Sequence, residues 1–186
     1  MSLALVEALG QMAPLEAYAY HNPAHTRDVY GRAQRLCRRM GLEPWEAAEV
    51  AVAAAFHDTG FLDAYADNEA HGAHRAKAWL TDKWPTDRSA RVEAMILATC
   101  LGRTPQTPQE KALRDADLDN LGRPDFFEKA AAVRAELGKF GGVAPDEAEW
   151  NASMATLLRG HQWWTSAAAK DRQEGLEENR RKAGLG

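Results

Sequence analysis

The stretch Ala47–Gly60, AAEVAVAAAFHDTG, decides the fold that this sequence predicts. Its alanines, valines and Phe56 run directly into His57 and Asp58, and Thr59–Gly60 then ends the segment. A helix that is apolar on all sides is a buried helix, so its last turn brings an imidazole and a carboxylate to the edge of the core. A desolvated carboxylate must be paired, protonated or bound to a metal. The pair therefore needs a partner from elsewhere in the chain.

Composition is typical of a globular, mostly helical protein. The chain has 186 residues, of which 45% are hydrophobic and 27% are charged, and alanine, leucine and glutamate dominate over β-branched residues. We expect one domain over residues 1–186, with a core from about 18 to about 140 and C-terminal helices from about 145 to about 182 packed on it. No apolar run approaches the roughly 20 residues of a membrane span, and the first residues lack the pattern of a signal peptide. We expect a cytoplasmic protein without membrane contact.

Charge and cysteine content exclude two further classes. The formal net charge of −4 argues against a surface that binds duplex nucleic acid. Cys37 and Cys100 form no CxxC pair, which agrees with a reducing compartment. A small phosphorylated molecule that meets a few local cations is compatible with this balance, and no feature excludes a homodimer.

Capping signals set the helix boundaries. Asn22 is a good cap for a helix that starts at Pro23, and Thr107 with Glu110 predicts a capping box. No strand pattern is present, so the predicted architecture is an all-α, compact bundle of about eight or nine helices. The other helices are expected over residues 2–19 with an interruption at Pro14, over 44–58, from His71 to Trp84, after Thr86 as cap, over 124–137, after Pro145 and over the last 20 residues.

Three aspartates crowd the C-terminal end of the helix that Thr107 caps. Negative charge there costs up to about 1 kcal/mol per exposed group, so a cation should lie nearby. One residue of register rotates a helical side chain by about 100 degrees, so only one aspartate is expected to point inward. Asp117 is favoured because it is central. Asp115 and Asp119 are then expected to cap the helix or to pair with arginines, Arg114 and Arg123.

A metal ion would satisfy the buried pair. His57 and Asp58 can both reach one ion where the helix ends, and His25 and Asp117 are the natural further donors. Two imidazoles and two carboxylates suit one divalent ion and leave positions open for water and substrate. Manganese, magnesium, iron, cobalt, nickel and zinc are not distinguished.

The order of these residues resembles the HD-domain superfamily of metal-dependent phosphohydrolases, which are all-helical. The resemblance covers about residues 18 to 180. It extends to four segments, which are YHNPAH at Tyr20–His25, AAAFHDTGF around His57, DNE at Asp67–Glu69 and DADLDNLGRPDFF from Asp115. DNE and DADLDNLG resemble motifs of an uncharacterised bacterial branch of that superfamily.

The resemblance implies roles for individual residues. It makes His25, His57, Asp58 and Asp117 metal ligands, and the bound ion lowers the pKa of a water that attacks phosphorus. His21 matches the histidine that protonates the leaving oxygen in the phosphodiesterase branch; the alternative is an exposed residue near a cap. The candidate catalytic residues are thus Asp58, His21 and Glu69. Glu69 either orients or deprotonates the water or forms a structural salt bridge.

Four residues are candidates for substrate binding. Arg75, Lys77 and Arg103 can hold phosphate, although each can equally belong to a solvated helix face. His161 can close the pocket or be a hydrogen-bonded core residue. The expected substrate is a phosphate ester or anhydride of a small molecule, with a nucleotide as its expected form.

Departures from the superfamily patterns limit what transfers. Thr99 and Cys100 stand where two-metal members carry a histidine, so one ion is expected; His71 and His74 are either exposed residues or part of a second site. Leu62 replaces a glutamate of the nucleotidase branch, and the GYP motif of cyclic-di-GMP phosphodiesterases is absent. Two alternatives remain, which are a catalytically weak, nucleotide-binding regulatory module and a di-iron oxygenase.

Overall fold

The chain folds as an all-α structure, as its sequence predicts. The computed structural model describes residues 2–142 and 144–185. Over these residues it contains nine α-helices, three short 3₁₀ turns and no strand. The helices are α1 (Leu3–Gln11), α2 (Pro23–Met40), α3 (Pro44–Phe56), α4 (Asn68–Leu80), α5 (Thr86–Leu97), α6 (Pro108–Asp117), α7 (Phe126–Phe140), α8 (Glu147–Gly160) and α9 (Ser166–Lys182). The 3₁₀ turns cover Ala13–Ala17, Thr59–Leu62 and Asp119–Gly122.

Helix α3 lies at the centre of the bundle, as its apolar sequence predicts. Every residue from Val50 to Phe56 is buried, and the helix contacts α1, α2, α4, α5 and α6. The residue before this segment, Glu49, is also fully buried although it carries a charge. Its carboxylate accepts hydrogen bonds from the Nε atoms of Arg88 at 2.8 Å and Arg91 at 3.0 Å. No local pattern predicts this ion pair, because both arginines lie on α5.

A second apolar cluster joins the C-terminal helices to the turn after α6. Leu176 of α9 belongs to this cluster, whereas Ala167 and Ala168 of the same helix belong to the main core. Helix α9 therefore connects the two clusters. The other buried members of the second cluster are Leu121, Phe126, Ala130 and Leu158.

The caps follow the sequence at α2 and only partly at α6. The side chain of Asn22 accepts hydrogen bonds from the first turn of α2, including the N–H of His25 at 3.3 Å. Thr107 accepts from the N–H of Glu110 at 3.2 Å, but the Glu110 carboxylate accepts from Gln106 at 2.7 Å instead of from the cap residue. The predicted capping box is therefore only half formed.

Several predicted boundaries differ from the structure. Thr86 is the first residue of α5 and makes no capping hydrogen bond, since Pro85 holds the cap position. Helix α1 ends at Gln11, and the 3₁₀ turn Ala13–Ala17 replaces the rest of the helix expected over residues 2–19. Helix α4 begins at Asn68, so most of the DNE motif is helical. Within the described ranges, every helix is too short or too polar to cross a membrane.

Candidate metal centre

Three helix ends meet at one point of the bundle. His25 lies in the first turn of α2, His57 and Asp58 directly follow α3, and Asp117 is the last residue of α6. Helices α2, α3 and α6 contact one another pairwise, which holds these ends together. The structure thus brings together all four side chains that the sequence predicts as ligands.

The donor atoms of these side chains have ligand-like spacing. The Asp58 Oδ2 atom lies 3.1 Å from His57 Nε2 and 3.4 Å from His25 Nε2. The Asp117 Oδ1 atom lies 3.4 Å from His25 Nε2 and 3.5 Å from His57 Nε2. Atoms that bind one ion tetrahedrally at about 2.1 Å are about 3.4 Å apart. The donor atoms of His25, His57 and Asp58 all lie within 4.8 Å of one another, as ligands of one ion do, whereas Asp117 falls outside that set and lies beside the two histidines.

Hydrogen bonding supports the same fit. The Nε2 atoms of His25 and His57 and the Oδ2 atom of Asp58 are buried and have no hydrogen-bond partner. The Nδ1 atom of His57 donates to the carbonyl of Ala54 at 2.9 Å, which leaves the Nε2 lone pair free. Buried polar atoms normally have a hydrogen-bond partner, so three such atoms that face one another without partners indicate a bound ligand. These donor atoms suit a divalent ion.

The charges in the cluster are strongly coupled. Burial lowers the pKa of His57, but the carboxylates of Asp58 and Asp117 outweigh burial and hold that pKa well above its ordinary value. Burial raises the pKa of both carboxyl groups, but the facing histidines bring each pKa below its ordinary value. Without a cation, imidazole protons therefore balance the carboxylates. A bound ion must displace those protons, which makes its affinity depend on pH.

Two glycines allow α4 to approach this centre. A Cβ atom on Gly60 would lie 1.8 Å from the carbonyl oxygen of Asn68, and one on Gly72 would lie 2.8 Å from the carbonyl oxygen of His57. In the sequence, Gly60 marked the end of the apolar segment. The structure shows a different need, because the backbone of α4 packs directly on the His57–Asp58 turn.

An apolar cavity of about 360 Å³ opens beside the cluster. Asp58 and Asp117 line it, together with the predicted catalytic residues His21 and Glu69. The structure therefore places those two residues on the wall of the cavity that Asp58 and Asp117 also line. Most of the remaining wall is apolar and comes from the turn after α3, the loop after α5, the turn after α6 and helices α7 and α8. Its members are Phe61, Leu101, Leu118, Leu121, Phe126, Ala130, Val133, Trp150, Met154 and Leu157.

Glu136 of α7 fixes the position of His21. The Glu136 carboxylate contacts the His21 Nδ1 atom and accepts hydrogen bonds from the backbone N–H groups of Tyr20 at 2.9 Å and His21 at 3.0 Å. Burial lowers the pKa of His21, but the bond to Glu136 and the nearby Asp58 raise it above its ordinary value overall. Sequence reasoning missed Glu136, because it lies 115 residues away on a helix without a motif.

A polar cavity of about 330 Å³ lies on another side of the cluster. His25 and Asp117 line it. Cationic side chains also line it, among them Arg123 within the motif DADLDNLGRPDFF and Lys129 just after that motif. Arg123 is held in place by salt bridges to Asp28 and to Asp125. Sequence reasoning assigned neither cation to substrate, although the motif DADLDNLGRPDFF contains Arg123.

The four predicted substrate-binding residues lie in three different places. Arg75 pairs with Asp63, with its Nε atom 2.7 Å from Oδ2, and exposed Lys77 pairs with Glu93 at 3.2 Å. Neither lines the two cavities at the cluster. Both side chains therefore form surface ion pairs, which fits the alternative that each belongs to a solvated helix face.

Arg103 and His161 lie together elsewhere. They line a third cavity, of about 320 Å³, which shares three leucines with the apolar cavity.

Only one of the three clustered aspartates reaches the centre, as the register argument predicts. Asp115 accepts hydrogen bonds from Trp164 and Thr165 at the start of α9. Asp119 pairs with Arg32 at 2.6 Å and with Arg172 at 2.9 Å, which supplies the expected cations. The expected pairing with Arg114 and Arg123 is wrong. Arg114 donates to backbone carbonyls, and Arg123 pairs with other carboxylates.

Comparisons with known proteins support the fold and give no information about function. No protein-family model matches the sequence, and no curated protein matches it. The structure is similar to the crystal structure of the Lin1889 protein from Listeria innocua, with a TM-score of 0.63 and 18% sequence identity. The similarity covers 97% of this chain and 93% of that one. At this identity it shows a shared fold over nearly the whole length of both chains.

Proposed function

We propose that this chain is an HD-type metal-dependent phosphohydrolase that acts on a phosphate ester or anhydride of a small molecule. One observation carries the proposal, which is that three buried and unpartnered donor atoms face one another beside the Asp117 carboxylate. A buried array of this kind costs free energy unless a cation completes it. The order of the residues in the sequence, which resembles the HD-domain superfamily, agrees with this chemistry.

The residues of the centre divide the chemistry among them. His25, His57, Asp58 and Asp117 would hold one divalent ion, which when bound lowers the pKa of a water and polarises a phosphoryl oxygen. Glu69 lines the same cavity and would orient the attacking water. His21, held by Glu136, would give its proton to the leaving oxygen.

The two cavities indicate how a substrate would lie. Arg123 and Lys129 line the polar cavity, so phosphate oxygens would face that side. The apolar cavity has the volume of a small-molecule site, and aromatic side chains such as Phe61, Phe126 and Trp150 form part of its wall. A planar base would pack well there, which favours a nucleotide as substrate.

A substrate screen tests the proposal. Purified protein, reconstituted with Mn²⁺ and in parallel with the other candidate ions, is assayed against nucleotides, cyclic nucleotides and generic phosphomonoesters for release of phosphate. We expect metal-dependent hydrolysis that Asp58→Ala abolishes and that Asp63→Ala, an exposed carboxylate outside the cavities, leaves intact. Full activity in Asp58→Ala would refute the assigned chemistry.

Elemental analysis separates this function from the two alternatives. One ion per chain together with turnover supports the hydrolase. Two iron atoms per chain would favour a di-iron oxygenase. One ion per chain with nucleotide binding but no hydrolysis would favour a regulatory module.

A further inference from the structure

The third cavity, which lies between the loop after α5 and the end of α8, has an unusual charge balance. Arg103, Arg114 and His161 line it with Gln162 and Thr104, and none of its lining residues within the described chain is acidic. The remaining lining residues are Leu101, Gly102, Leu118, Thr156, Leu157, Gly160 and Trp164. Two guanidinium groups thus share a cavity without a carboxylate, in a protein whose net charge is −4.

Arg114 is the decisive residue of this cavity. Its side chain is 4% exposed, and among the described residues it forms no salt bridge. Its Nη1 atom donates to the carbonyls of Ala98 and Thr99, whereas its Nε atom is buried without a hydrogen-bond partner. A buried guanidinium ordinarily has a counter-ion, because desolvating an unpaired charge is costly. No described carboxylate forms a salt bridge with Arg114, and although Asp117, Glu69 and Asp115 are near enough to act on it, burial outweighs them and lowers its pKa.

His161 adds a second unsatisfied group to the same wall. Its Nε2 atom is buried and has no hydrogen-bond partner. Burial, assisted by the nearby Arg180 and Arg114, lowers the pKa of His161 to about 4, so the ring is neutral at pH 7. A neutral imidazole still donates one hydrogen bond. The cavity therefore combines two cations with a neutral donor.

We propose that this cavity is a binding site for a small anion, which carries a phosphate or carboxylate group held by Arg103, Arg114 and His161. Guanidinium groups bind both kinds of oxyanion through paired hydrogen bonds. The site differs from the metal centre, because no metal-binding residue lines it. Leu101, Leu118 and Leu157 line both this cavity and the apolar cavity, so a bound anion would sit next to the proposed substrate.

Calorimetric titration of the metal-free protein with inorganic phosphate, and separately with acetate, tests this site. The protein is treated with EDTA and kept at low ionic strength. We expect saturable binding of at least one of these anions, with one anion per chain. Arg103→Ala and Arg114→Met are each expected to weaken it at least about tenfold. Because Arg103 is exposed, its variant tests the site even where Arg114→Met fails to fold.

Matched controls separate the site from its neighbours. Arg159→Ala removes an exposed arginine of α8 that does not line the cavity, and Asp58→Asn disables the metal centre; both should bind the anion as the parent does. Absence of saturable binding for both anions would overturn the proposal. So would unchanged binding in Arg103→Ala, or loss of binding in Arg123→Ala, which would place the anion in the polar cavity.

Discussion

The two ends of α3 bury polar groups in opposite ways. Near its start, Glu49 is fully buried and its two carboxylate oxygens accept hydrogen bonds from Arg88 and Arg91. After its last residue, His57 and Asp58 are equally buried, but each has an atom without a hydrogen-bond partner. One helix therefore carries two buried charged sites about two turns apart. We call Glu49 the closed end, because its oxygens are partnered, and His57–Asp58 the open end, because atoms there lack a hydrogen-bond partner.

The difference teaches how to interpret buried charge. Glu49 is satisfied by the chain itself, so its effect is confined to stability. The histidine and aspartate each keep a buried atom without a hydrogen-bond partner, so their burial points to a ligand. If this interpretation is right, substitutions at the two ends should have separable effects on function and on stability.

The largest expected effect is on turnover, at the open end. His57→Gln removes one ligand of the proposed ion, and we expect metal-dependent hydrolysis to fall at least about a thousandfold. Steady-state assays measure this loss, and circular dichroism verifies that the variant is folded. Retention of more than about a tenth of the activity would contradict the role given to His57.

The next effect is on stability, at the closed end. Glu49→Gln leaves two guanidinium groups without their charged partner, and we expect the free energy of unfolding to fall by about 3 kcal/mol. Urea denaturation of the metal-free protein measures it. Asp87→Asn provides the matched control, because Asp87 pairs with the same Arg91 but is exposed. A loss of less than about 0.5 kcal/mol in Glu49→Gln would remove the contrast between the two ends.

A metal ion should then stabilise the parent chain. At about one hundred times its dissociation constant, a bound ion adds about 2.7 kcal/mol to the free energy of unfolding and raises the Tm by about 5–10 °C. Thermal denaturation with and without Mn²⁺ measures this shift. We expect it in Glu49→Gln and not in His57→Gln. A shift of the same size in both variants would place the ion elsewhere.

The smallest expected effect concerns His161, which is partly buried and has one ring nitrogen without a hydrogen-bond partner. Its pKa of about 4 lies below the ordinary value, so the unfolded chain binds more protons between about pH 4 and about pH 6.5. His161 should therefore reduce stability by about 1–2 kcal/mol as the pH falls through that window, allowing for its partial exposure. His161→Gln should flatten this part of the pH–stability profile in chemical denaturation. An unchanged profile would show that His161 titrates normally.

The sequence predicted what local signals encode. Asn22 before Pro23 marked the start of α2, and the apolar run before His57 marked a central helix, because capping and burial depend on neighbouring residues. Helical register predicted that only one of three aspartates would point inward, and Asp117 was chosen because it is central; that residue alone among them reaches the two histidines.

The sequence did not predict contacts between distant elements. Glu136, which fixes His21, and the arginines that neutralise Glu49 lie on other helices, so no spacing reveals them. Arg75 and Arg123 look alike in sequence. Only the packing of α4 and of the turn after α6 decides that Arg123 lines a cavity at the cluster and that Arg75 pairs with a surface carboxylate.

The close approach of α4 also bears on how mutational scans of this protein should be interpreted. Gly60 and Gly72 carry no functional group, yet a single added methyl at either would collide with backbone that cannot yield. Alanine at these positions should shift the turn that presents the imidazole and the carboxylate. Both should therefore rank among the least tolerant sites of the chain for a purely steric reason, and intolerance there is no sign of a chemical role.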